Sequence, residues 1–127
     1  MDEKITIMYV EDNRENRLLV RRVLEAEGFQ VMEAESAAQA LKALSKHVPN
    51  LILMDINMPE IDGYTLTSRL RKNPKMKGVP IIAMTANVMK GDRERTLEAG
   101  CDGYLQKPID VDLLAYQLRR FLERGGK

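Results

Sequence analysis

The chain has 127 residues, of which 20 are Lys or Arg and 19 are Asp or Glu, so its formal net charge is +1. This length fits one domain, and the near-neutral charge argues against nucleic-acid binding as the main task. With 44% hydrophobic residues and a single cysteine, Cys101, we expect a packed core without an internal disulfide. No apolar run is long enough to cross a membrane and no signal peptide is evident, so the sequence predicts a cytoplasmic protein without a membrane partner.

Short apolar runs alternate with helical patterns along the chain. The clearest strand candidates are Ile5–Val10, Leu51–Met54 and Val79–Met84, each of which ends in polar residues. Weaker candidates, expected near the sheet edges, are Gln30–Ala34 and Gly103–Gln106. Short continuous apolar runs are typical of parallel strands that are buried on both faces.

Helical patterns follow these strands, around residues 19–24, 37–44, 64–72, 87–99 and 111–122. Gly28, Asn73-Pro74 and Gly100 mark the ends of the first, third and fourth patterns. Five strands alternating with five helices predict an α/β fold, with a parallel sheet and helices on both faces.

The fourth helical pattern differs from the others. Residues 90–96 have no strongly apolar side chain, so we expect this helix to be anchored near its ends by Val88, Met89 and Leu97. Few buried contacts give a segment low local stability, and mobile elements come from such regions. The sequence therefore predicts that this helix is the moving part of any two-state switch.

Polar residues follow the predicted strands: Glu11 and Asp12 after the first, Asp55 after the third, Thr85 after the fourth and Lys107 after the fifth. Function in open α/β sheets lies beyond the carboxyl ends of the strands, so we expect these side chains to converge. Crowded carboxylates need protons or a cation in compensation, and oxygen ligands suit a hard divalent cation such as Mg²⁺. The sequence has no cluster of His or Cys, which argues against zinc and copper.

The same residues fit phosphoryl transfer. A carboxylate can act as a nucleophile toward phosphorus and form an aspartyl phosphate. The oxygens of the transferred group then need partners, which a metal ion, the ammonium of Lys107 and the hydroxyl of Thr85 would supply.

Five motifs resemble the receiver domains of two-component response regulators, in the family's order and across essentially the whole chain: Val10–Asn13, Leu53–Pro59, Asp62-Gly63, Met84–Ala86 and Tyr104–Pro108. The resemblance implies a flavodoxin-like sheet with strand order 2-1-3-4-5. It also implies one receiver domain over residues 1–127 with no output domain. Residues 84–92 are similar to those of single-domain regulators of the DivK type and of hybrid histidine kinase receivers. The chain is thus interpreted as a free-standing regulator, with a receiver excised from a hybrid kinase as the alternative.

The resemblance implies a role for each residue of the site. Asp55 would be the phosphoacceptor, and Glu11, Asp12, Asp55 and the backbone carbonyl of Asn57 would hold Mg²⁺, for which Mn²⁺ could substitute. Lys107 would contact the phosphoryl group, with a cis peptide bond between Lys107 and Pro108.

The resemblance further implies a switch and its tuning. Thr85 would be the switch hydroxyl, and Tyr104 the aromatic residue that changes exposure when Thr85 moves. The side chains of Asn57 and Asn87 would tune dephosphorylation.

The implied function is a signalling switch. A histidine kinase or histidine phosphotransfer protein would supply the phosphoryl group, and the chain would catalyse only its own phosphorylation and slow autodephosphorylation. An unknown downstream protein would bind the face formed by the fourth helix, the fifth strand and the fifth helix. No nucleic-acid partner is expected.

Three other functions are weaker interpretations. A phosphatase of the aspartyl-phosphate type would have a second aspartate where Asn57 stands. A nucleotide-binding module would carry a glycine-rich phosphate loop, and neither common form of that motif occurs. An interaction module that has lost phosphorylation would not retain the complete set of five residues.

Other conspicuous residues have structural interpretations. His47 is predicted to be exposed and Cys101 to be an inert filler. Four arginines of the first helix are predicted to form a solvated face: Arg14, Arg17, Arg21 and Arg22. The alternative is that they form a surface on which a kinase docks.

Overall fold

The computed structural model describes residues 4–58, 60–86 and 90–125. The strands are β1 Thr6–Val10, β2 Gln30–Ala34, β3 Leu51–Asp55, β4 Ile81–Thr85 and β5 Gly103–Gln106. The helices are α1 Arg14–Ala26, α2 Ala37–Leu44, α3 Gly63–Arg71, α4 Lys90–Glu98 and α5 Leu114–Gly125, with a short 3-10 turn at Pro74–Met76. Within the described part of the chain, no helix has the length and apolar composition that a membrane span requires.

The five strands form one parallel sheet in the order β2-β1-β3-β4-β5. This order confirms the predicted fold class and the position of β2 and β5 at the edges. All residues of β3 and β4 are buried, as continuous apolar runs predict, whereas β2 exposes Gln30 and Glu33.

Alternate side chains of β1 pack in two different core layers, because successive side chains of a strand point to opposite faces of the sheet. Ile7 and Tyr9 pack in the layer that includes α1 and α5. Met8 and Val10 pack in the layer that includes α2 and α3. Helices therefore cover both faces of the sheet, as predicted.

Two predicted boundaries are wrong. The fifth helix begins at Leu114 rather than near Val111, which is exposed in the preceding turn. There the Asp110 carboxylate accepts a hydrogen bond from the backbone N–H of Asp112 at 3.0 Å, which favours a turn. The fourth strand begins at Ile81 rather than Val79, since Pro80 has no N–H to donate to the sheet.

The predicted anchoring of α4 is also wrong where the structure tests it. Leu97 is 52% exposed, and Val88 and Met89 lie outside the described residues. Instead Thr96 is buried, and its hydroxyl donates a hydrogen bond to the Tyr64 hydroxyl of α3 at 3.4 Å. The guanidinium of Arg95 lies 4.6 Å from the centroid of the same ring. Polar and cation–π contacts thus attach α4 to α3.

Arg71, in the last turn of α3, ties together the loops at the amino ends of β4 and β5. Its guanidinium donates hydrogen bonds of 2.8–2.9 Å to three backbone carbonyl oxygens, those of Met76, Val79 and Gly100. It also forms an ion pair with Asp102. One side chain therefore satisfies acceptors from two separate loops.

We expect Arg71→Ala to lower the free energy of unfolding by about 3 kcal/mol, because it removes three charge-assisted hydrogen bonds to backbone carbonyl oxygens. Urea denaturation followed by circular dichroism measures this loss. Arg69→Ala is the matched control: Arg69 is exposed in the same turn, and its loss should cost at most about 0.5 kcal/mol. Equal losses in the two variants would contradict the assigned role.

Candidate functional site

The structure brings the predicted site residues together at the carboxyl edge of the sheet. Glu11 follows β1, Asp55 ends β3, Thr85 ends β4 and Lys107 follows β5. These four strands are successive neighbours, so their ends form one continuous row. Glu11 and Asp55 are 1% and 2% exposed, whereas Asp12 is exposed to solvent.

Three carboxylates form a compact cluster. Glu11, Asp12 and Asp55 each offer one oxygen, and these oxygens lie within 4.8 Å of one another. A set of oxygen donors with one solvent-facing member suits a hard divalent cation that keeps some of its water, as Mg²⁺ does. The residues therefore fit the cation that the sequence predicts.

The ammonium of Lys107 brings a positive charge to the acidic cluster. Its Nζ lies 2.9 Å from Asp55 Oδ1 and 3.8 Å from Glu11 Oε1. The backbone N–H of Lys107 donates to the Thr85 carbonyl oxygen at 2.8 Å, which fixes this loop against β4. The peptide bond between Lys107 and Pro108 is cis.

Hydrogen-bond donors from three residues hold the Glu11 carboxylate. Oε1 accepts from the Tyr9 hydroxyl at 3.2 Å and from Asn16 Nδ2 at 3.4 Å, and Oε2 accepts from the backbone N–H of Asn13 at 3.3 Å. Sequence reasoning missed Tyr9 and Asn16. The position of Tyr9 within a buried strand could have indicated its role, because the hydroxyl of a buried tyrosine needs a hydrogen-bond partner.

The electrostatics of the site favour the neutral form of Glu11. Burial, reinforced by the neighbouring Asp55 carboxylate, raises the pKa of Glu11 from 4.5 to about 7, against the opposing effects of the Asn13 N–H and Lys107. Burial beside Glu11 also raises the pKa of Tyr9 well above its usual value. The phenol therefore remains a hydrogen-bond donor throughout the physiological pH range.

The loop after β3 holds Asp55 in place. The backbone N–H of Asn57 donates to Asp55 Oδ1 at 3.1 Å, and the Asn57 side chain is exposed. Gly63, at the start of α3, lies so close to this loop that a Cβ there would be 2.8 Å from the Asp55 carbonyl oxygen. The backbone N–H of Gly63 donates to the Ile56 carbonyl oxygen at 3.0 Å. The absence of a side chain at Gly63 thus allows α3 to begin directly against the acidic site.

The residues predicted to form the switch occupy neighbouring strands. Thr85 is buried at the end of β4. Tyr104 is half-buried in β5, paired with Ala83 rather than with Thr85, and packs against the core layer that includes α3. Asn87, predicted to tune dephosphorylation, lies outside the described residues.

One arginine of the predicted solvated face is not solvated. Arg14, Arg21 and Arg22 are exposed, but the Arg17 side chain is only 12% exposed and contacts the backbone next to the site. The sequence could have indicated this burial. Arg17 precedes the buried Val20 by three residues and therefore lies on the same face of the helix. His47 is exposed and Cys101 is buried with a free thiol, as predicted.

Comparison with known proteins identifies the family. The pattern that defines the response regulator receiver domain matches residues 7–119. The chain belongs to this family. The polar-differentiation response regulator DivK of Brucella ovis is 39% identical to this receiver over 117 residues, which cover 92% of this chain and 95% of that protein.

Solved structures agree with this assignment. The receiver domain of a sensor histidine kinase from Pseudomonas aeruginosa, with a magnesium ion coordinated in its active site cleft, is 36% identical with a TM-score of 0.87, covering 95% of this chain and 99% of that one. A putative response regulator from Chloroflexus aurantiacus is 32% identical with a TM-score of 0.90 over the same shares of the two chains.

The raised pKa of Glu11 predicts how the stability of the metal-free receiver depends on pH. Unfolded Glu11 loses its proton near pH 4.5 and folded Glu11 near pH 7, so the folded state binds more protons between these values. The free energy of unfolding should therefore fall across this window, by at most about 3 kcal/mol.

Glu11→Gln should remove most of that fall, since an amide does not ionise. Chemical denaturation in the presence of a chelator at several pH values measures it. Asp12→Asn, which alters the exposed carboxylate of the same cluster, should keep the fall. An unchanged pH dependence in Glu11→Gln would show that another group causes it.

Proposed function

We propose that this receiver is a phosphorylation-dependent signalling switch that accepts a phosphoryl group on Asp55 from a histidine kinase or a histidine phosphotransfer protein. The observation that carries the proposal is the surroundings of Asp55. Its carboxylate ends a buried strand, lies 2.9 Å from the Lys107 ammonium and belongs to the acidic cluster with Glu11 and Asp12. That arrangement combines a nucleophile, a fixed cation and a set of metal ligands at one point.

The transfer is a displacement at phosphorus. An Asp55 carboxylate oxygen forms the new P–O bond while the P–N bond of the donor phosphohistidine breaks, and the imidazole leaves with the electron pair. In this proposal the Lys107 ammonium and the Thr85 hydroxyl bind two of the phosphoryl oxygens. Lys107 already contacts Asp55 and so needs little rearrangement to contact the group attached there.

Glu11, Asp12, Asp55 and the backbone carbonyl of Asn57 would hold Mg²⁺, with Mn²⁺ as a substitute. When bound, the cation would offset the repulsion between the incoming phosphoryl oxygens and the three carboxylates. The magnesium ion in the active site cleft of the related Pseudomonas aeruginosa receiver domain supports this part of the proposal.

The chain would act on no substrate except itself. It would catalyse its own phosphorylation and a slow hydrolysis of the aspartyl phosphate, with the side chains of Asn57 and Asn87 tuning the second step. The exposed position of Asn57, two residues after the acceptor, gives it access to an attacking water. An amide there cannot serve as the general acid or base that an efficient phosphatase needs.

Phosphorylation itself is tested by intact-mass spectrometry after incubation with acetyl phosphate. We expect wild type to gain the mass of one phosphoryl group only when Mg²⁺ is present, and Asp55→Asn to gain none. Lys107→Ala should react more slowly, because it removes the ammonium that contacts Asp55.

Asp112→Asn, at an exposed turn and not a member of the acidic cluster, is the control and should react like wild type. A folded wild-type protein that gains no mass with Mg²⁺ would leave a receiver-shaped binding module as the function. If Asp55→Asn still gains the mass of a phosphoryl group, the phosphoacceptor is another residue.

The output of the switch is proposed to be a change in α4. In this proposal the Thr85 hydroxyl moves toward the phosphoryl group, Tyr104 changes its exposure and α4 is repositioned. The polar attachment of α4 to Tyr64 supports it, since contacts of this kind cost less to exchange than a buried apolar face. The effect is a population shift between two states.

A downstream protein is proposed to read this change on the surface formed by α4, β5 and α5. Large apolar side chains are exposed there: Leu97 in α4, Leu113 just before α5 and Tyr116 within α5. Such side chains support a binding surface that a shift of α4 would reshape.

Hydrogen exchange tests the movement of α4. With Mg²⁺ and beryllium fluoride, a mimic of the phosphoryl group, the amides of α4 should exchange at changed rates while those of α2 should not. Thr85→Ala should reduce the change in exchange rate in α4, because it removes the hydroxyl that is proposed to couple the phosphoryl mimic to α4. Equal exchange rates in α4 with and without the mimic would exclude this helix as the moving part.

The chain is proposed to be a single-domain regulator, with a receiver that forms part of a hybrid histidine kinase as the alternative. The first interpretation is supported by the Brucella ovis DivK protein, 95% of which aligns with this chain. The second is supported by the similarity to the Pseudomonas aeruginosa receiver domain, which belongs to a sensor histidine kinase.

A further inference from the structure

Arg17 of α1 uses all three of its guanidinium nitrogens. Its Nη1 donates hydrogen bonds to the backbone carbonyl oxygens of Glu11 and Asp12, at 2.8 and 3.1 Å. Its Nε lies 3.5 Å from the Glu33 carboxylate and its Nη2 lies 3.6 Å from the Glu35 carboxylate. The guanidinium thus connects the loop after β1 with the end of β2.

The two carbonyl groups belong to the residues whose carboxylates form the acidic pair of the site. Because each peptide group is planar, a carbonyl oxygen held in one direction also fixes the N–H of the next residue, which belongs to the same plane. With both carbonyls directed at Arg17, the Glu11 and Asp12 side chains reach the cluster with Asp55. Arg17 therefore contacts the backbone carbonyl groups of these two residues and not their carboxylates.

Electrostatic repulsion makes such a restraint necessary. Carboxylates within 4.8 Å of one another repel, and the exposed Asp12 is free to relieve the repulsion by moving into solvent unless its backbone is held. Glu33 and Glu35 hold the guanidinium itself in place from β2. A lysine at this position would keep the charge but lacks the planar fork that bridges several acceptors.

We propose that Arg17 is a positioning residue for the divalent-cation site, acting through the backbone of Glu11 and Asp12. The inference rests on the proposed function, because it concerns the same metal-dependent site. Arg17 touches neither the phosphoryl group nor the cation in this proposal. Its effect is to preorganise two of the ligands before the cation arrives.

The same helix contains a matched control. Arg21 lies one turn after Arg17 and forms ion pairs with Glu25 at 3.3 Å and with Glu33 at 2.6 Å. Among the described contacts of Arg21, none involves the loop of Glu11 and Asp12. Loss of Arg21 therefore removes a cation and a link to Glu33 without removing the restraint on the loop.

The test is the affinity of the unphosphorylated protein for Mg²⁺, measured by titration while the backbone amide resonances of Asn13 and Asn57 are followed by NMR. Wild type, Arg17→Lys, Arg17→Ala and Arg21→Ala are compared, and thermal unfolding shows that each is folded. We expect both Arg17 variants to bind Mg²⁺ about ten-fold more weakly, a typical effect of removing a group that orients metal ligands. Arg21→Ala should stay within about two-fold of wild type, and phosphorylation by acetyl phosphate should need correspondingly more Mg²⁺ only in the Arg17 variants.

Lower melting temperatures in the Arg17 variants with Mg²⁺ affinity equal to that of wild type would overturn the proposal and leave a purely structural role. Equal losses in Arg17→Lys and Arg21→Ala would also overturn it, since the general charge balance would then account for the effect. If Arg17→Ala does not fold, the Mg²⁺ affinity of Arg17→Lys relative to wild type tests the proposal. Failure of wild type itself to bind Mg²⁺ and to accept a phosphoryl group is a different result, because it refutes the proposed function on which this inference rests.

Discussion

The site depends on holding negative charge in a buried place. Glu11 and Asp55 are almost inaccessible to solvent, yet both are carboxylates and stand near each other. Burial of unpaired charge is costly, so hydrogen-bond donors and a cation must compensate. The strand order of the parallel sheet supplies part of this compensation, because it places Lys107 at the same edge of the sheet as the buried carboxylates. Among the described side chains, one ammonium faces three carboxylates, and this excess of negative charge suits a divalent cation.

That constraint also explains why the surrounding loops are so firmly held. The loop after β1 is restrained by the Asn13 cap of α1 and by Arg17. The loop after β3 is restrained by the close approach of Gly63. Preorganised charges avoid the rearrangement that solvent-exposed groups would need during reaction. The rigidity lies at the acidic end of the site, whereas the helix proposed to move lies beyond Thr85.

The parts of the fold that follow from local pattern were predictable. The strands β1, β3 and β4 are apolar because both of their faces are buried, and the polar residues at strand ends predicted the side chains that the structure brings together. Contacts between distant segments were not predictable from pattern. The anchoring of α4 depends on Thr96 meeting Tyr64, 32 residues earlier, and nothing in either neighbourhood indicates that pairing. The late start of α5 has a local cause, the Asp110 turn, which outweighed the helical spacing that begins at Val111.

The polar attachment of α4 has a thermodynamic consequence. Exposure of apolar surface gives protein unfolding its large heat-capacity change, and with it a strong curvature of stability with temperature. The described side-chain contacts of α4 include a hydroxyl–hydroxyl hydrogen bond and an arginine over an aromatic ring, while Leu97 is already in water. Loss of these contacts would uncover little additional apolar surface on the side chains of residues 94–98, the part of α4 whose burial the structure describes. The contribution of these contacts to the proposed shift of α4 should have a small heat-capacity change and vary only gently between cold and warm conditions, even where the stability of the whole domain varies steeply.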